Sequence, residues 1–300
     1  MKHRFRVFSP LLRVLSGGIV VLTLGVCVVG LLSLTAHASG QDQRVQVGLC
    51  TALKGIAAAR TAGFEYLELS TSEIAALSDA DYESALIQVN QLGLPVPVTN
   101  LFLPATLKVT GPDVDRAAQD RYVQKAFARL ARLGTGIVVF GSGGARRVPD
   151  GFSKDDGFRQ IVEFGRRIAL EAQTHNITIA VEPLRREETN IVNTAAEGLD
   201  LVNAVNHSNF QLMIDFYHLA SEHEDPAIVL RAREHLRHLH MANPQGRVFP
   251  IAWEEFDYAP FFANLRMIGY DRRISVEASA RDFPVEAPRA ISLLRQAFTR

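Results

Sequence analysis

The chain has 300 residues, 47% hydrophobic and 21% charged, a balance that builds a globular core and excludes disordered, collagen-like and low-complexity classes. Its 32 basic and 32 acidic side chains cancel overall, but residues 1–38 hold Lys2, Arg4, Arg6 and Arg13 and no acid, so the remainder carries 28 bases against 32 acids. That mildly acidic body argues against a nucleic-acid partner, and two cysteines, Cys27 in an apolar run and Cys50 beyond it, exclude a disulfide framework.

The first segment reads as a leader. Met1–Arg13 is basic, Val14–Thr35 is apolar and uncharged, and Ala36-His37-Ala38-Ser39 has the small-x-small form of a signal-peptidase site. The apolar run is longer than the core of a usual signal peptide and approaches the length of a spanning helix. A cleaved signal peptide and a retained N-terminal anchor both remain open, and the bases ahead of the run send the rest outward in either case. Residues 1–38 are therefore expected to be the leader and residues 39–300 an exported or membrane-anchored domain.

From Val45 onward, short apolar runs alternate with longer amphipathic ones. Val45–Cys50 reads as a strand, Leu53–Ala62 as a helix closed by Gly63, and Tyr66–Leu69 as a strand. Asp79–Leu92 is a helix capped by Ser78 and stopped at Gly93. Val96–Leu103 follows as a strand, Asp113–Leu133 as a helix ending at Gly134, and Gly136–Phe140 as a strand. Gly141-Ser142-Gly143-Gly144 is expected to be a flexible rim loop. Then come the helix Phe158–Thr174, the strand Ile177–Val181, the helix Thr194–Val205, the strand Gln211–Phe216 and the helix Pro226–His235. The last units are the strand His238–Met241, the helix Tyr258–Ile268, the strand Arg273–Val276 and the helix Val285–Phe298. Eight strand-then-helix units in roughly 250 residues fit a (β/α)8 TIM barrel, whose strands are buried on both faces. An open doubly wound sheet would show a glycine-rich phosphate turn after an early strand, which Gly48-Leu49-Cys50-Thr51 is not.

In such a barrel the C-terminal strand ends face the active site. Strands five to eight close with Glu182, Asp215, His240 and Glu277 in turn. Three carboxylates brought to one mouth would repel one another and stay partly protonated unless a cation neutralised them. One divalent metal ion is therefore expected. Three carboxylates and an imidazole with no thiolate favour Mn²⁺, Mg²⁺ or Co²⁺ and also admit Zn²⁺. Four protein ligands leave two positions on a six-coordinate ion for adjacent oxygens of a polyol or hydroxy-ketone.

These strand ends resemble the xylose isomerase-like barrel family of sugar (phosphate) isomerases and epimerases. Ala180-Val181-Glu182-Pro183-Leu184, Ile214-Asp215-Phe216-Tyr217-His218 and Ile274-Ser275-Val276-Glu277 after Gly269-Tyr270 look like its fifth-, sixth- and eighth-strand motifs. The stretch from His240 to Arg247 resembles the seventh-strand loop of its hydroxypyruvate isomerase-like members. The resemblance implies that Glu182, Asp215, His240 and Glu277 ligate the metal, that Glu182 and Glu277 also form the acid/base pair, and that Glu188, His218 and Arg247 contact substrate oxygens. The implied chemistry is proton transfer next to the carbonyl of a small sugar or hydroxy-ketone through a metal-stabilised enediolate, giving epimerisation or aldose–ketose isomerisation. An exported sugar-binding protein without turnover, or a lyase or dehydratase using the same enediolate, are the alternatives. Barrels of this kind often pair, so a homodimer is open. Phosphodiester hydrolysis on the same fold would need more histidines, and none lies between His37 and His175.

Overall fold

A computed structural model describes residues 44–299; the leader expected over residues 1–38 lies outside the described residues. Eight parallel strands close into a barrel in sequence order: β1 (Gln46–Cys50), β2 (Tyr66–Ser70), β3 (Val98–Asn100), β4 (Ile137–Phe140), β5 (Thr178–Val181), β6 (Phe210–Asp215), β7 (Leu236–Met241) and β8 (Arg273–Val276). β1 pairs with both β2 and β8, so no edge remains. The helices are α1 (Ile56–Ala62), α2 (Thr71–Ala76), α3 (Asp79–Leu92), α4 (Arg116–Arg132), α5 (Gly143–Arg146), α6 (Lys154–Thr174), α7 (Ala195–Val205), α8 (Phe216–Ser221), α9 (Ile228–Ala232), α10 (Ala259–Met267) and α11 (Phe283–Ala297). No helix among the described residues is long and apolar enough to cross a membrane.

Local chemistry explains the boundaries. The Ser78 hydroxyl accepts from the Asp81 N–H at the start of α3, and Gly93 ends that helix in the left-handed region, as its sequence predicts. Ser153 and Thr194 cap α6 and α7 in the same way. Two short helices, α2 and α8, begin directly at strand ends, where their strand-like neighbours hide them in the sequence. The expected strand over Val96–Leu103 shrinks to three residues, because Leu101 turns to φ 47° and leaves the sheet. The expected flexible loop at residues 141–144 is instead a packed turn into α5. The Ser142 hydroxyl accepts from the Leu103 N–H, and a side chain on Gly143 would run into the Glu188 carbonyl. Glycine stands there for close packing, not mobility.

Burial forms two shells. Between strands and helices lies the large apolar core. Inside the barrel, Tyr66, Val98, Val139, Ala180 and Met213 make a smaller plug. The Tyr66 ring fits only because β1 carries glycine opposite it: a Cβ on Gly48 would overlap the ring. Above this plug the lumen turns polar. A register shift between β6 and β7 pairs Leu212 with Leu236 but Met213 with His238, so Arg237 is an extra residue. His238 and His240, two apart on one strand, then share the inward face.

Gly48→Ala should lower the stability by about 1–3 kcal/mol through overpacking. Gly136→Ala, which meets nothing within 4 Å, should stay within about 0.5 kcal/mol. Chemical denaturation of both variants checks the pair.

Candidate active site and metal centre

The four strand-end residues converge. Glu182, Asp215, His240 and Glu277 offer ligand atoms that all lie within 4.8 Å of one another. Strand register brings them there: Asp215 pairs with His240, and Met241, one residue on, pairs with Val276, next to Glu277. Each head is held by its own backbone surroundings. Glu182 donates its N–H to the Phe140 carbonyl, and its own carbonyl accepts from Arg146 at 2.6 Å. Asp215 caps α8 with Oδ1, which accepts from the Tyr217 N–H at 2.8 Å, so Oδ2 is left facing the cluster. Glu277 accepts from Asn100 Nδ2 at 3.0 Å on Oε1 and from Arg247 at 2.5 Å on Oε2.

The electrostatics of this cluster are unequal. Burial pushes Asp215 up to about 7 and raises Glu182 as well. At Glu277 burial pushes the same way, but His240 and then Arg247 outweigh it and hold the carboxyl below its usual range. For His240, burial opposes the charged ring, yet the Glu68 carboxylate outweighs it and raises the pKa. His218 goes the other way: burial, then Arg247, lower it to about 3, so the ring is neutral. Its Nε2 lies 3.6 Å from Asp215 and 3.8 Å from Glu182, but a neutral imidazole makes no ion pair with either.

Three buried atoms in this pocket lack a hydrogen-bond partner among the described residues: Glu182 Oε1, His218 Nε2 and His240 Nδ1. The His240 Nδ1 is 3.3 Å from Glu182 and 3.1 Å from Glu277, too poorly aligned for hydrogen bonds. Buried polar atoms left without partners beside crowded carboxylates are costly unless something else satisfies them. Three carboxylates and one imidazole are a donor set suited to a hard or borderline divalent cation, so these residues fit a metal ion.

The three further expected residues surround this cluster differently. His218 stands on α8 three residues after Asp215, buried inside the pocket. Its Nδ1 accepts from the Arg185 N–H at 3.4 Å, which leaves the ring proton on Nε2, aimed at the carboxylates. Arg247 bridges Glu277 and Asp215, lies 3.6 Å from Glu188, and stacks over the Tyr217 ring at 4.7 Å. Glu188 sits at the rim, accepting from Arg185 at 3.0 Å, and does not join the four-residue cluster. A cavity of about 320 Å³ opens beside the cluster, lined by Cys50, Ser70, Asn100, Leu101, Arg247 and Glu277 among others. Cys50 lies 3.9 Å from the His240 Nε2, and burial pushes its thiol up, so it stays protonated.

Several participants lie away from the strand ends. Glu68 on β2 is fully buried in the lumen, accepting from the Nε2 atoms of both His238 and His240 at 2.8 Å. Arg146 is fully buried behind the pocket, donating to the carbonyls of Phe140, Glu182 and Val192. It thereby holds Val192, a β-branched residue at φ 56°. The sequence did carry one signal for Glu68: it is an acid in the middle of a run that otherwise reads as a buried strand.

Comparison with known proteins agrees with this geometry. The xylose isomerase-like TIM barrel family matches residues 56–297. An L-ribulose 3-epimerase of Methylomonas sp. (strain DH-1) is 30% identical over 233 residues, 76% of this chain and 78% of that protein. A D-psicose 3-epimerase of Ruminiclostridium cellulolyticum is 28% identical over 237 residues, 73% and 75% of the two chains. A solved D-allulose 3-epimerase from Methylomonas sp. superposes with a TM-score of 0.75 at 26% identity, covering 85% of this chain and 98% of that one. The chain belongs to the xylose isomerase-like TIM barrel family. It is an enzyme of the sugar isomerase and epimerase class.

Arg146→Met should cost more than about 2 kcal/mol, because it strands three buried carbonyls that a charged donor satisfies. A denaturation midpoint unchanged from the parent would contradict this account of Arg146.

Proposed function

We propose that the protein is a metal-dependent ketose 3-epimerase, which inverts the carbon next to the carbonyl of a small ketose. The observation that carries this reading is the convergence of Glu182, Asp215, His240 and Glu277, where Glu182 Oε1 and His240 Nδ1 both lack a hydrogen-bond partner among the described residues. Relatives whose names give L-ribulose and D-psicose as substrates favour epimerisation over aldose–ketose isomerisation. Those four residues would hold the cation, with Mn²⁺, Mg²⁺ or Co²⁺ preferred on donor type. The cation would supply charge to polarise the ketose carbonyl.

The remaining work falls to the side chains. Glu277 is the ionised member of the pair, with both oxygens fixed by Asn100 and Arg247, and it removes the C3 proton from one face. Glu182, just past the end of β5, delivers a proton to the opposite face of the resulting enediolate. Running the reaction from the other epimer exchanges the two roles. His218 stays neutral and donates its Nε2 proton to a substrate oxygen. Arg247, stacked on Tyr217, offers a guanidinium to the substrate hydroxyls at the mouth, and Glu188 keeps Arg185 and Arg247 in place there.

The test is proton exchange. With Mn²⁺ added in D₂O, L-ribulose or D-allulose should lose its C3 proton signal and its epimer should appear by NMR. Glu182→Gln and Glu277→Gln should each slow this by roughly 10²–10⁴-fold. A chelator should abolish it, and added metal should restore it. Ketose binding without exchange would instead favour a sugar-binding protein on the same scaffold.

The proposal extends to place. A basic segment followed by the apolar run Val14–Thr35 supports export of the barrel or its anchoring outside the cytoplasm. Alkaline phosphatase fused to the C-terminus should be active in bacterial cells; an inactive fusion alongside a fluorescent cytoplasmic one would overturn the assignment.

A further inference from the structure

We infer that Glu68 is a positioning residue that fixes the His240 ring so that Nδ1, and not Nε2, faces Glu182, Asp215 and Glu277. This inference rests on the reading that the cluster holds a divalent cation.

An imidazole that gives one nitrogen to a metal must keep its proton on the other, and that proton needs an acceptor. His240 is fully buried, so water does not supply one. Its Nε2 points down into the lumen, where Glu68 Oε1 accepts at 2.8 Å. Glu68 is well placed for this role because it has little freedom to do anything else. Both of its oxygens meet donors, Oε1 the His240 ring and Oε2 the His238 ring and the Ser275 hydroxyl.

The second oxygen is already taken. Oε2 accepts from His238 Nε2 at 2.8 Å and from the Ser275 hydroxyl at 2.5 Å. Because Ser275 gives its proton to Glu68, the Tyr66 hydroxyl 2.8 Å away must donate to Ser275. The directions are thereby set: Tyr66 donates to Ser275, Ser275 and His238 to Oε2, and His240 to Oε1, with His238 Nε2 also 3.3 Å from the Ser275 hydroxyl. A carboxylate from β2 thus reaches across the lumen to side chains of β7 and β8 and forms the floor on which the pocket stands. Glutamine cannot reproduce this floor. Its amide N–H₂ would face either His240 or the His238–Ser275 pair, and a donor opposite Nε2 drives the ring proton to Nδ1, into the cluster.

The experiment is a Mn²⁺ titration by calorimetry on the purified full-length chain, its Glu68→Gln variant and a Tyr66→Phe variant. Tyr66→Phe disturbs the same lumen but leaves both histidine contacts of Glu68 in place. Glu68→Gln should bind Mn²⁺ some 10–100-fold more weakly, the usual effect of removing a partner behind a metal-bound histidine. Tyr66→Phe should stay within about threefold of the parent, as expected for a single neutral hydrogen bond. In the ¹⁵N-histidine spectrum of the Mg²⁺-loaded parent, His240 should carry its proton on Nε2. A folded Glu68→Gln protein that binds within about threefold of the parent overturns the inference while leaving the metal site standing. Equal weakening in both variants also overturns it, since the effect would then be general to the lumen. A parent that binds no divalent ion overturns the site reading and this inference together. Should Glu68→Gln fail to fold, the parent's spectrum decides: a proton on His240 Nδ1 overturns the assignment and one on Nε2 sustains it.

Discussion

Like charge in a confined, poorly solvated place is the constraint that organises the upper half of this barrel. Glu182, Asp215 and Glu277 meet with ligand atoms no more than 4.8 Å apart, and at an effective dielectric constant near 20 each ionised pair repels by roughly 3–4 kcal/mol. The surrounding structure counters this charge from several sides. Arg247 lies across Glu277 and Asp215 at the mouth, His240 sits among the acids, and Arg146 is buried behind the Glu182 backbone. Even so, the compensation is incomplete, since Asp215 and Glu182 are pushed toward their neutral forms while Glu277 stays ionised. Two carboxylates of unequal proton affinity, within a donor set that fits a divalent cation, are suited to proton transfer.

The geometry comes from layers. The apolar plug of Tyr66, Val98, Val139, Ala180 and Met213 sets the floor height, and the Glu68 network rests above it. The cluster lies on top of that network, and the rim of Arg247, Tyr217, Arg185 and Glu188 closes over it. Each layer constrains the next through directional bonds, so side chains in the cluster need not be held by the mobile ends of loops.

Much of this was legible in the chain itself. The eight units, the barrel and the four convergent strand ends follow from periodicity and from the rule that such barrels work at their C-terminal face. The sequence puts His218 just past a strand, whereas it belongs to a short helix that Asp215 itself caps. What the sequence hid were groups whose importance is purely tertiary. Glu68 and Arg146 lie away from strand ends, Asn100 ends β3 only because that strand stops three residues short of its expected end, and nothing local says that Asn100 will meet Glu277 across 177 residues. The glycines at 141, 143 and 144 look like a loosened loop because composition does not distinguish room to move from room to pack. Gly141 is tight for a tertiary reason: a Cβ there would press on Glu182.

The lumen network also bears on how the molecule comes together. Glu68 enters with the second strand, whereas His238, His240 and Ser275 arrive with the seventh and eighth, at separations of 170 to 207 residues. During synthesis, the first half of the barrel therefore carries a carboxylate whose counterpart has yet to be translated, and it gains nothing by burying that group early. Completion of the pocket is therefore tied to the arrival of the last two strands, which bring the only side chains that meet both Glu68 oxygens among the described residues.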